Sequence, residues 1–323
     1  MSSRAITAVP IAEVRAAQAR IAPLCVRTPI VRCDIASAPC ELSLKLENLQ
    51  PVGAFKVRPV GSAVLAKPAE SLATGVYTAS TGNSAVALAW LAKRLGINAA
   101  AVVIETAPEA KLARIRALGA RIVSVSSAEW WRTIREARHP GEPGAYIDAV
   151  RDPAALAGNG TLGIEILEQL PQLDAIFVPF GGGGLACGIA SAVRALAPRV
   201  KVVACELDTA QPLSAALRAG EVVTTECNPG FVSGIGAHTL LPEMWPLAKE
   251  LLAGTVTVSL PEVAAAIKLL VQENKVIAEG AGAIPVAAAL SGRHPYARVC
   301  AVVSGGNLGT DMLNTILAGA IPG

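Results

Sequence analysis

The sequence predicts an α/β fold with two open, twisted and mostly parallel sheets that carry helices on both faces. Apolar runs of strand length alternate with helical patterns through most of the 323 residues. Hydrophobic residues make up 52% of the chain and aromatic residues only 3%, so the core must consist of Ala, Val, Leu and Ile. Such a composition is typical of parallel strands that are buried on both faces.

Seven apolar runs are expected to form strands, namely residues 42–46, 75–78, 99–104, 122–125, 175–178, 200–205 and 299–303. Helical patterns lie between them at residues 84–95, 109–118, 187–196 and 263–273. Residues 139–144, with the sequence HPGEPG, have the composition of a linker. We therefore expect a small α/β domain over residues 75–142, and a large domain made of residues 1–74 and 143–323.

Charge and cysteine content exclude several classes of protein. The formal net charge of +3 is too small to indicate a nucleic-acid or anionic-membrane partner. No apolar stretch reaches about 18 residues, and the N-terminus lacks the pattern of a secretory signal, so a cytoplasmic protein is expected. The seven cysteines are scattered without a CxxC pair, which argues against a disulfide framework and against structural zinc.

The first segment with recognisable chemistry covers residues 44–58. A strand is expected to end near Glu47, a loop containing Pro and Gly follows, and Lys56 begins a helical pattern. The positive end of a helix would lower the pKa of this lysine, and a Schiff base requires a neutral amine. The alternative is that Lys56 and Arg58 are ordinary surface cations.

The second segment, Ser80-Thr81-Gly82-Asn83, follows a short strand and opens an apolar helix. Its hydroxyls and amide side chain, together with the free amides of a helix N-terminus, could hold a carboxylate. The alternative is simple capping of the helix by Asn83 or Ser84.

The third segment contains four glycines between a strand and a helix: Gly181, Gly182, Gly183 and Gly184. Glycines let the backbone wrap around a phosphate at the positive end of the helix. The alternative is a flexible turn, and the segment matches neither GxGxxG nor the P-loop pattern.

The fourth segment, Ser304-Gly305-Gly306-Asn307, again follows a strand. The hydroxyl of Ser304 could bond a ligand nitrogen, although Ser304 or Asn307 could instead cap a helix. Upstream, Glu279 stands among small residues, either as a wall of the site or at a tight helix start.

Taken together and in this order, the four segments resemble the fold-type II pyridoxal-phosphate enzymes, specifically their serine/threonine dehydratase and serine racemase branch. The resemblance extends from about residue 28 to Asn307. It implies that pyridoxal 5'-phosphate is the cofactor and lies between the large and the small domain.

The resemblance also implies roles for individual residues. Lys56 would form a Schiff base with the cofactor and later move the α-proton of the substrate. The other expected cofactor contacts are Phe55 beside the ring, Asn83 at the ring hydroxyl, Gly181, Gly182, Gly183, Gly184 and Leu185 at the phosphate, Glu279, and Ser304 at the pyridine nitrogen. The expected substrate contacts are Ser80, Thr81, Gly82 and Asn83, with Thr81 also a candidate catalytic group.

Ser304 bears on the type of reaction. A serine hydroxyl cannot keep a pyridine nitrogen protonated as an aspartate would, so the ring is a weaker electron sink. This favours rapid loss of a β-substituent. We therefore expect a lyase that converts serine, threonine or a related β-hydroxy amino acid into a 2-oxo acid and ammonia.

Several positions depart from the family pattern. Ser84 stands where dehydratases commonly have His, and Thr81 stands where serine racemases have a catalytic Ser. The divalent-cation site of the family would need oxygen ligands near Glu206 and Ala210, but Pro212 occupies the third position, so no metal is expected.

Amino-acid racemisation and β-replacement of the cysteine synthase type are the alternative enzyme activities, and a silent ligand-binding protein is the alternative class. His238 could line the substrate pocket or merely pack in a loop. Only about one helix remains after Asn307, so no regulatory domain is expected and a catabolic role is predicted. A homodimer or higher homo-oligomer is expected, as in the family.

Overall fold

The computed structural model describes residues 6–35 and 38–323. Within them lie ten strands: β1 (Ile30–Cys33), β2 (Glu41–Leu46), β3 (Val76–Ala79), β4 (Ala99–Ile104), β5 (Arg121–Val125), β6 (Ala145–Tyr146), β7 (Ala175–Pro179), β8 (Lys201–Leu207), β9 (Thr255–Val258) and β10 (Arg298–Val303).

Helices cover most of the remaining chain. They are α1 (Ile11–Ile21), α2 (Val57–Leu65), α3 (Ala69–Leu72), α4 (Asn83–Leu95), α5 (Glu109–Ala117), α6 (Ser127–Glu136), α7 (Pro153–Gln169), α8 (Gly184–Leu196), α9 (Pro212–Ala219), α10 (Trp245–Leu251), α11 (Leu260–Leu269), α12 (Gly280–Leu290) and α13 (Thr310–Leu317). None of the helices in the described residues is long and apolar enough to cross a bilayer.

The strands form two sheets, and the predicted fold class is confirmed. One sheet has six strands in the order β1-β2-β10-β7-β8-β9, and the other has four in the order β5-β4-β3-β6. All neighbouring strands are parallel except the antiparallel pair β1 and β2 at one edge. The carboxyl ends of parallel strands lie at one edge of a sheet, which is where ligands bind in open α/β sheets.

All seven predicted strands are present, but three short strands were not predicted. β1 contains Arg32 and lies at the sheet edge, and β9 has the half-buried sequence Thr-Val-Thr-Val, so neither reads as a continuous apolar run. β6 has only two residues and follows the Pro/Gly stretch directly. It pairs with β3 in the four-stranded sheet although it lies beyond residue 142. The domain boundaries stay a prediction.

A buried ion network surrounds Arg58, which lies in the first turn of α2, two residues after Lys56. The guanidinium of Arg58 donates to both carboxylate oxygens of Glu47, at 2.7 and 2.9 Å, and to both of Glu165, at 2.8 and 2.9 Å. Lys45 adds a bond of 2.8 Å to Glu165. Arg58 is 1% exposed, so the alternative of a surface cation is wrong for this residue. Burial opposes its charge, but the two carboxylates raise the pKa of Arg58 above its usual value.

Candidate active site

The lysine loop is fastened to the end of β10 by main-chain contacts. The amide of Phe55 donates to the carbonyl of Ser304 at 2.9 Å, and the amide of Gly306 donates to the carbonyl of Gly53 at 2.9 Å. Ala54 and Gly305 pair between these two bonds as an antiparallel bridge. The first and fourth segments of the sequence therefore meet in the structure.

Lys56 is half-buried and immediately precedes α2. Its ammonium nitrogen lies 4.8 Å from the centre of the Phe55 ring. Burial lowers the pKa of Lys56 to about 8, while the carboxylates of Asp148 and Glu279 act in the opposite direction. The lowered pKa expected from the sequence is thus present, but its main cause is burial rather than the helix terminus.

The Ser80–Asn83 segment forms the turn between β3 and α4. The amide of Ser80 continues the sheet by donating to the carbonyl of Val102 at 3.1 Å, and the amide of Gly82 then donates to the Ser80 hydroxyl at 3.2 Å. No side chain caps the start of α4. The capping alternative therefore does not account for Asn83 or Ser84.

The side chain of Asn83 instead takes part in a polar network that joins three segments. Its amide nitrogen donates to Glu279 at 2.7 Å, and its oxygen accepts from the side chain of Asn307 at 2.7 Å. Asn307 also donates to the carbonyl of Val52 at 3.0 Å, in the lysine loop. Arg114, from α5, donates to the oxygen of Asn307. The network links a turn of the four-stranded sheet to two loops of the six-stranded sheet.

Glu279 is buried at the start of α12. Burial raises the pKa of Glu279 to about 7, while the hydrogen bond from Asn83 and the charge of Lys56 act to lower it. A side chain at position 305 would place its Cβ 2.5 Å from the nearer carboxylate oxygen of Glu279, so glycine is required there. Ser304, beside it, is 2% exposed.

The tetraglycine loop lies between β7 and α8, and α8 begins at Gly184. The amides of Gly181, Gly182 and Gly183 donate to no other group in the described part of the chain. Gly183 has a φ of +88°, a conformation that side chains disfavour. Its backbone lies beside the Phe180 ring, because a Cβ on Gly183 would be 3.1 Å from that ring. The loop thus presents unpaired amides at the positive end of a buried helix, as an anion site requires.

Two other residues considered from the sequence have structural partners. The carboxylate of Glu206 accepts hydrogen bonds from the amides of Leu213 and Ser214, at 2.8 Å each, and so caps α9. Among the residues that the structure describes, no cluster of three metal-ligating side chains is present. The ring of His238 is exposed and lies 3.1 Å from the carbonyl of Thr225, as expected for a loop residue.

Comparisons with known proteins agree with the resemblance. Residues 21–305 match the family described as pyridoxal-phosphate dependent enzyme. The chain is 34% identical to an L-threonine ammonia-lyase of Thermotoga maritima, over 86% of this chain and 70% of that protein. It is 32% identical to a serine racemase of Oryza sativa, over 95% and 93% of the two chains. The solved structure of maize serine racemase has a TM-score of 0.87 and 30% identity, covering 97% of this chain and 98% of that one.

The chain therefore belongs to the family of pyridoxal-phosphate-dependent enzymes, and its fold is that of fold type II. The residues at the strand ends suit this cofactor. An amine with a pKa of about 8 can bind an aldehyde, unpaired amides can bind a phosphate, and a buried serine can meet a ring nitrogen. Threonine ammonia-lyases and serine racemases are both among its relatives, so the family alone does not decide between these reactions.

The glycine loop yields a prediction about cofactor affinity. Gly183→Ala puts a side chain on a left-handed residue, which costs roughly 1–2 kcal/mol and forces the loop away from its present path. We expect the dissociation constant for pyridoxal phosphate to rise about tenfold, measured by spectroscopic titration. Gly220→Ala is the matched control, because Gly220 also has a positive φ, of +79°, but ends α9. Unchanged affinity in Gly183→Ala would remove this loop from the cofactor site.

Proposed function

We propose that the protein is a lyase that converts a β-hydroxy amino acid into a 2-oxo acid and ammonia by α,β-elimination. One observation carries the proposal. Lys56 has a pKa of about 8, and its loop is bonded to the segment after β10, where the first residue is Ser304 rather than a carboxylate. The relatives named threonine ammonia-lyase support the same reaction.

Each part of the cofactor has a partner in this arrangement. We assign its aldehyde to Lys56, its phosphate to the amides of Gly181 through Gly184 and Leu185, and its ring nitrogen to Ser304. Asn83 would reach the ring hydroxyl while Glu279 keeps its side chain in place, because these two are already bonded at 2.7 Å. Phe55 would pack near the ring. When bound, the cofactor acts as an electron sink that makes the α-proton of an amino acid acidic.

The substrate carboxylate is assigned to the turn before α4. Ser80 and Thr81 carry hydroxyls there, and the main-chain amides around Gly82 lie at the positive end of a thirteen-residue helix. A carboxylate at this point would stand close to Asn83, and therefore close to Glu279 and Lys56. This proximity orients Cα of the substrate toward the amine that removes its proton.

Proton transfer is assigned to Lys56. With the substrate bound, the free amine of Lys56 would accept the proton from Cα as a general base. The proton that leaves Cα and the β-hydroxyl are lost together as one water molecule. The released enamine then takes up one water molecule from solvent and is hydrolysed to a 2-oxo acid and ammonia. With serine the products are pyruvate and ammonia in equal amounts.

Ser304 is expected to favour elimination over reactions that need long-lived negative charge on Cα. A hydroxyl holds the ring nitrogen by a hydrogen bond but supplies no charge that would keep it protonated. The ring then withdraws the electrons left on Cα only moderately. Loss of a leaving group from the adjacent carbon, which uses these electrons, is therefore favoured.

A panel of substrates tests the function. We expect equal amounts of 2-oxo acid and ammonia from at least one of serine, threonine, 3-hydroxyaspartate and phenylserine, measured by coupled dehydrogenase assays. Alanine, which lacks a β-leaving group, is the matched control and should give neither product. Absence of turnover on the whole panel, by protein that retains its bound cofactor, would contradict the proposal.

Racemisation is the second candidate, because the chain shares 32% identity over 95% of its length with a serine racemase. The hydroxyl of Thr81, at the substrate turn, is the candidate group for the opposite face of Cα. If it serves in this way, Thr81→Val should lower formation of D-serine by about 100-fold or more. Pyruvate formation from L-serine should fall much less, since elimination would lose only the Thr81 contact to the substrate carboxylate and would keep its base, Lys56. Chiral chromatography checks this, with Ser84→Ala as the control.

A further inference from the structure

Asp148 is a partly buried acidic residue next to the candidate site, and it has no role in the proposed binding of cofactor or substrate. It lies two residues after β6, the short strand that pairs with β3. The intervening Ile147 continues this pairing, because its amide donates to the carbonyl of Tyr77 at 2.8 Å. Its carbonyl accepts from the hydroxyl of Thr78 at 3.0 Å. Asp148 is therefore held at the same edge of the sheet as the substrate turn.

On its other side, Asp148 is adjacent to the glycine loop. Val150 packs against that loop so closely that a Cβ on Gly182 would lie 3.0 Å from its side chain. A Cβ on Gly184 would lie 3.0 Å from its Cα. Asp148 thus stands between the predicted phosphate loop and the predicted substrate turn.

The orientation of the Asp148 carboxylate is fixed by three hydrogen bonds. One oxygen accepts from the amides of Val150 and Arg151, at 2.9 and 3.0 Å. The other accepts from the guanidinium of Arg151 at 2.6 Å. Other contacts hold the Arg151 side chain in place. It pairs with Glu243 and donates to the carbonyls of Ile134 and Arg135 at the end of α6. The carboxylate cannot turn away without breaking this arrangement.

The charged groups near Lys56 are the carboxylates of Asp148 and Glu279, and the former has the larger effect of the two in raising the lysine pKa. Arg151 partly offsets the charge of Asp148. Tyr146 stays neutral, because burial and the charge of Asp148 raise its pKa. Glu279 has a pKa of about 7 and loses its charge as the pH falls below neutrality.

We propose that Asp148 is a positioning residue that stabilises the ammonium form of Lys56, the form that exists after Lys56 has accepted the substrate α-proton. This rests on the proposed role of Lys56 as the general base. A partly buried lysine that accepts a proton gains a charge that water solvates less well than in bulk, and a fixed carboxylate lowers the free energy of that charge. The reaction then proceeds with a base that is neutral before the transfer and stabilised after it.

Electrostatics predicts in which direction the pKa of Lys56 moves, and the direction differs between two variants. Asp148→Asn removes a negative charge, so the Lys56 pKa should fall by about one unit or more. Arg151→Gln removes the positive charge that offsets Asp148, so the Lys56 pKa should rise. General damage to the site would not move the two variants in opposite directions.

The pKa is measured on the full chain freed of cofactor, as the pH at which trinitrobenzenesulfonate modifies Lys56, with the site quantified by peptide mass spectrometry. We expect a midpoint near pH 8 for the wild type, a lower one for Asp148→Asn and a higher one for Arg151→Gln. Asp152→Asn is the matched control, because Asp152 caps α7 and asparagine caps equally well. This measurement does not depend on which reaction the enzyme catalyses.

On the holoenzyme, the pH dependence of turnover gives a second measure. The acidic limb of the profile should shift to lower pH in Asp148→Asn, and kcat should fall about tenfold because the ammonium product of the transfer is less stable. Equal midpoints for wild type, Asp148→Asn and Arg151→Gln in the modification experiment would overturn the inference. If these midpoints separate as expected but the substrate panel gives no product, only the proposed function fails.

Discussion

Lys56→Ala is expected to abolish turnover, with a loss of about 10³-fold or more, because one side chain serves as both the cofactor anchor and the general base. Two features of the structure suit its amine to these roles. Burial lowers its pKa to about 8, and main-chain bonds at Phe55 and Gly53 hold its loop against the end of β10. The variant should also lack the absorbance at roughly 410–420 nm that a covalently held cofactor gives.

Lys249→Ala is the matched control for this experiment. Lys249 also lies over an aromatic ring, 5.5 Å from the centre of Trp245, but it is exposed on α10. Its removal should leave both absorbance and turnover as in the wild type. Retention of the absorbance band by Lys56→Ala would show that another amine holds the cofactor.

The second large effect is expected on stability. Arg58→Met should lower the free energy of unfolding by about 3–5 kcal/mol, because it leaves the buried carboxylates of Glu47 and Glu165 without their main partner. Both carboxylates accept two hydrogen bonds from Arg58. Equilibrium urea unfolding, followed by circular dichroism, measures the change.

Arg27 offers a control, because its partner Glu168 lies on α7, the helix that also carries Glu165. It pairs with Glu168 of α7 at 2.6 Å, but about half of each side chain is exposed, at 52% and 49%. Arg27→Met should therefore change the free energy of unfolding by about 1 kcal/mol or less. If Arg58→Met costs no more than Arg27→Met, the buried network does not stabilise the folded chain as expected.

The four site segments could be predicted because each is local. A strand, a loop of distinctive residues and a helix follow one another within about fifteen residues in each case. The segments after β2 and β10, in one sheet, meet the turn after β3, in the other, while the glycine loop follows β7, a neighbour of β10. Phe55, Lys56, Asn83 and Glu279 lie in the same region, although their roles toward cofactor and substrate stay predictions.

Long-range pairs could not be predicted in the same way. Arg58 and Glu165 are 107 residues apart, and Asn307 and Arg114 are 193 apart, so no local pattern relates them. Arg114 has the spacing of an exposed helical face, and only the fold brings it to Asn307. Asp148 was missed for another reason, because β6 before it is too short to show a strand pattern after the Pro/Gly stretch.

The bridge between Ala54 and Gly305 has a consequence for the thermodynamics of cofactor binding. Main-chain bonds on both sides of it make the lysine loop a short extension of the sheet, held by groups of the chain itself. The conformational entropy of ordering this loop is lost when the protein folds, not when the cofactor arrives. Association therefore meets a preorganised receptor at this point, and more of the contact free energy is retained as affinity.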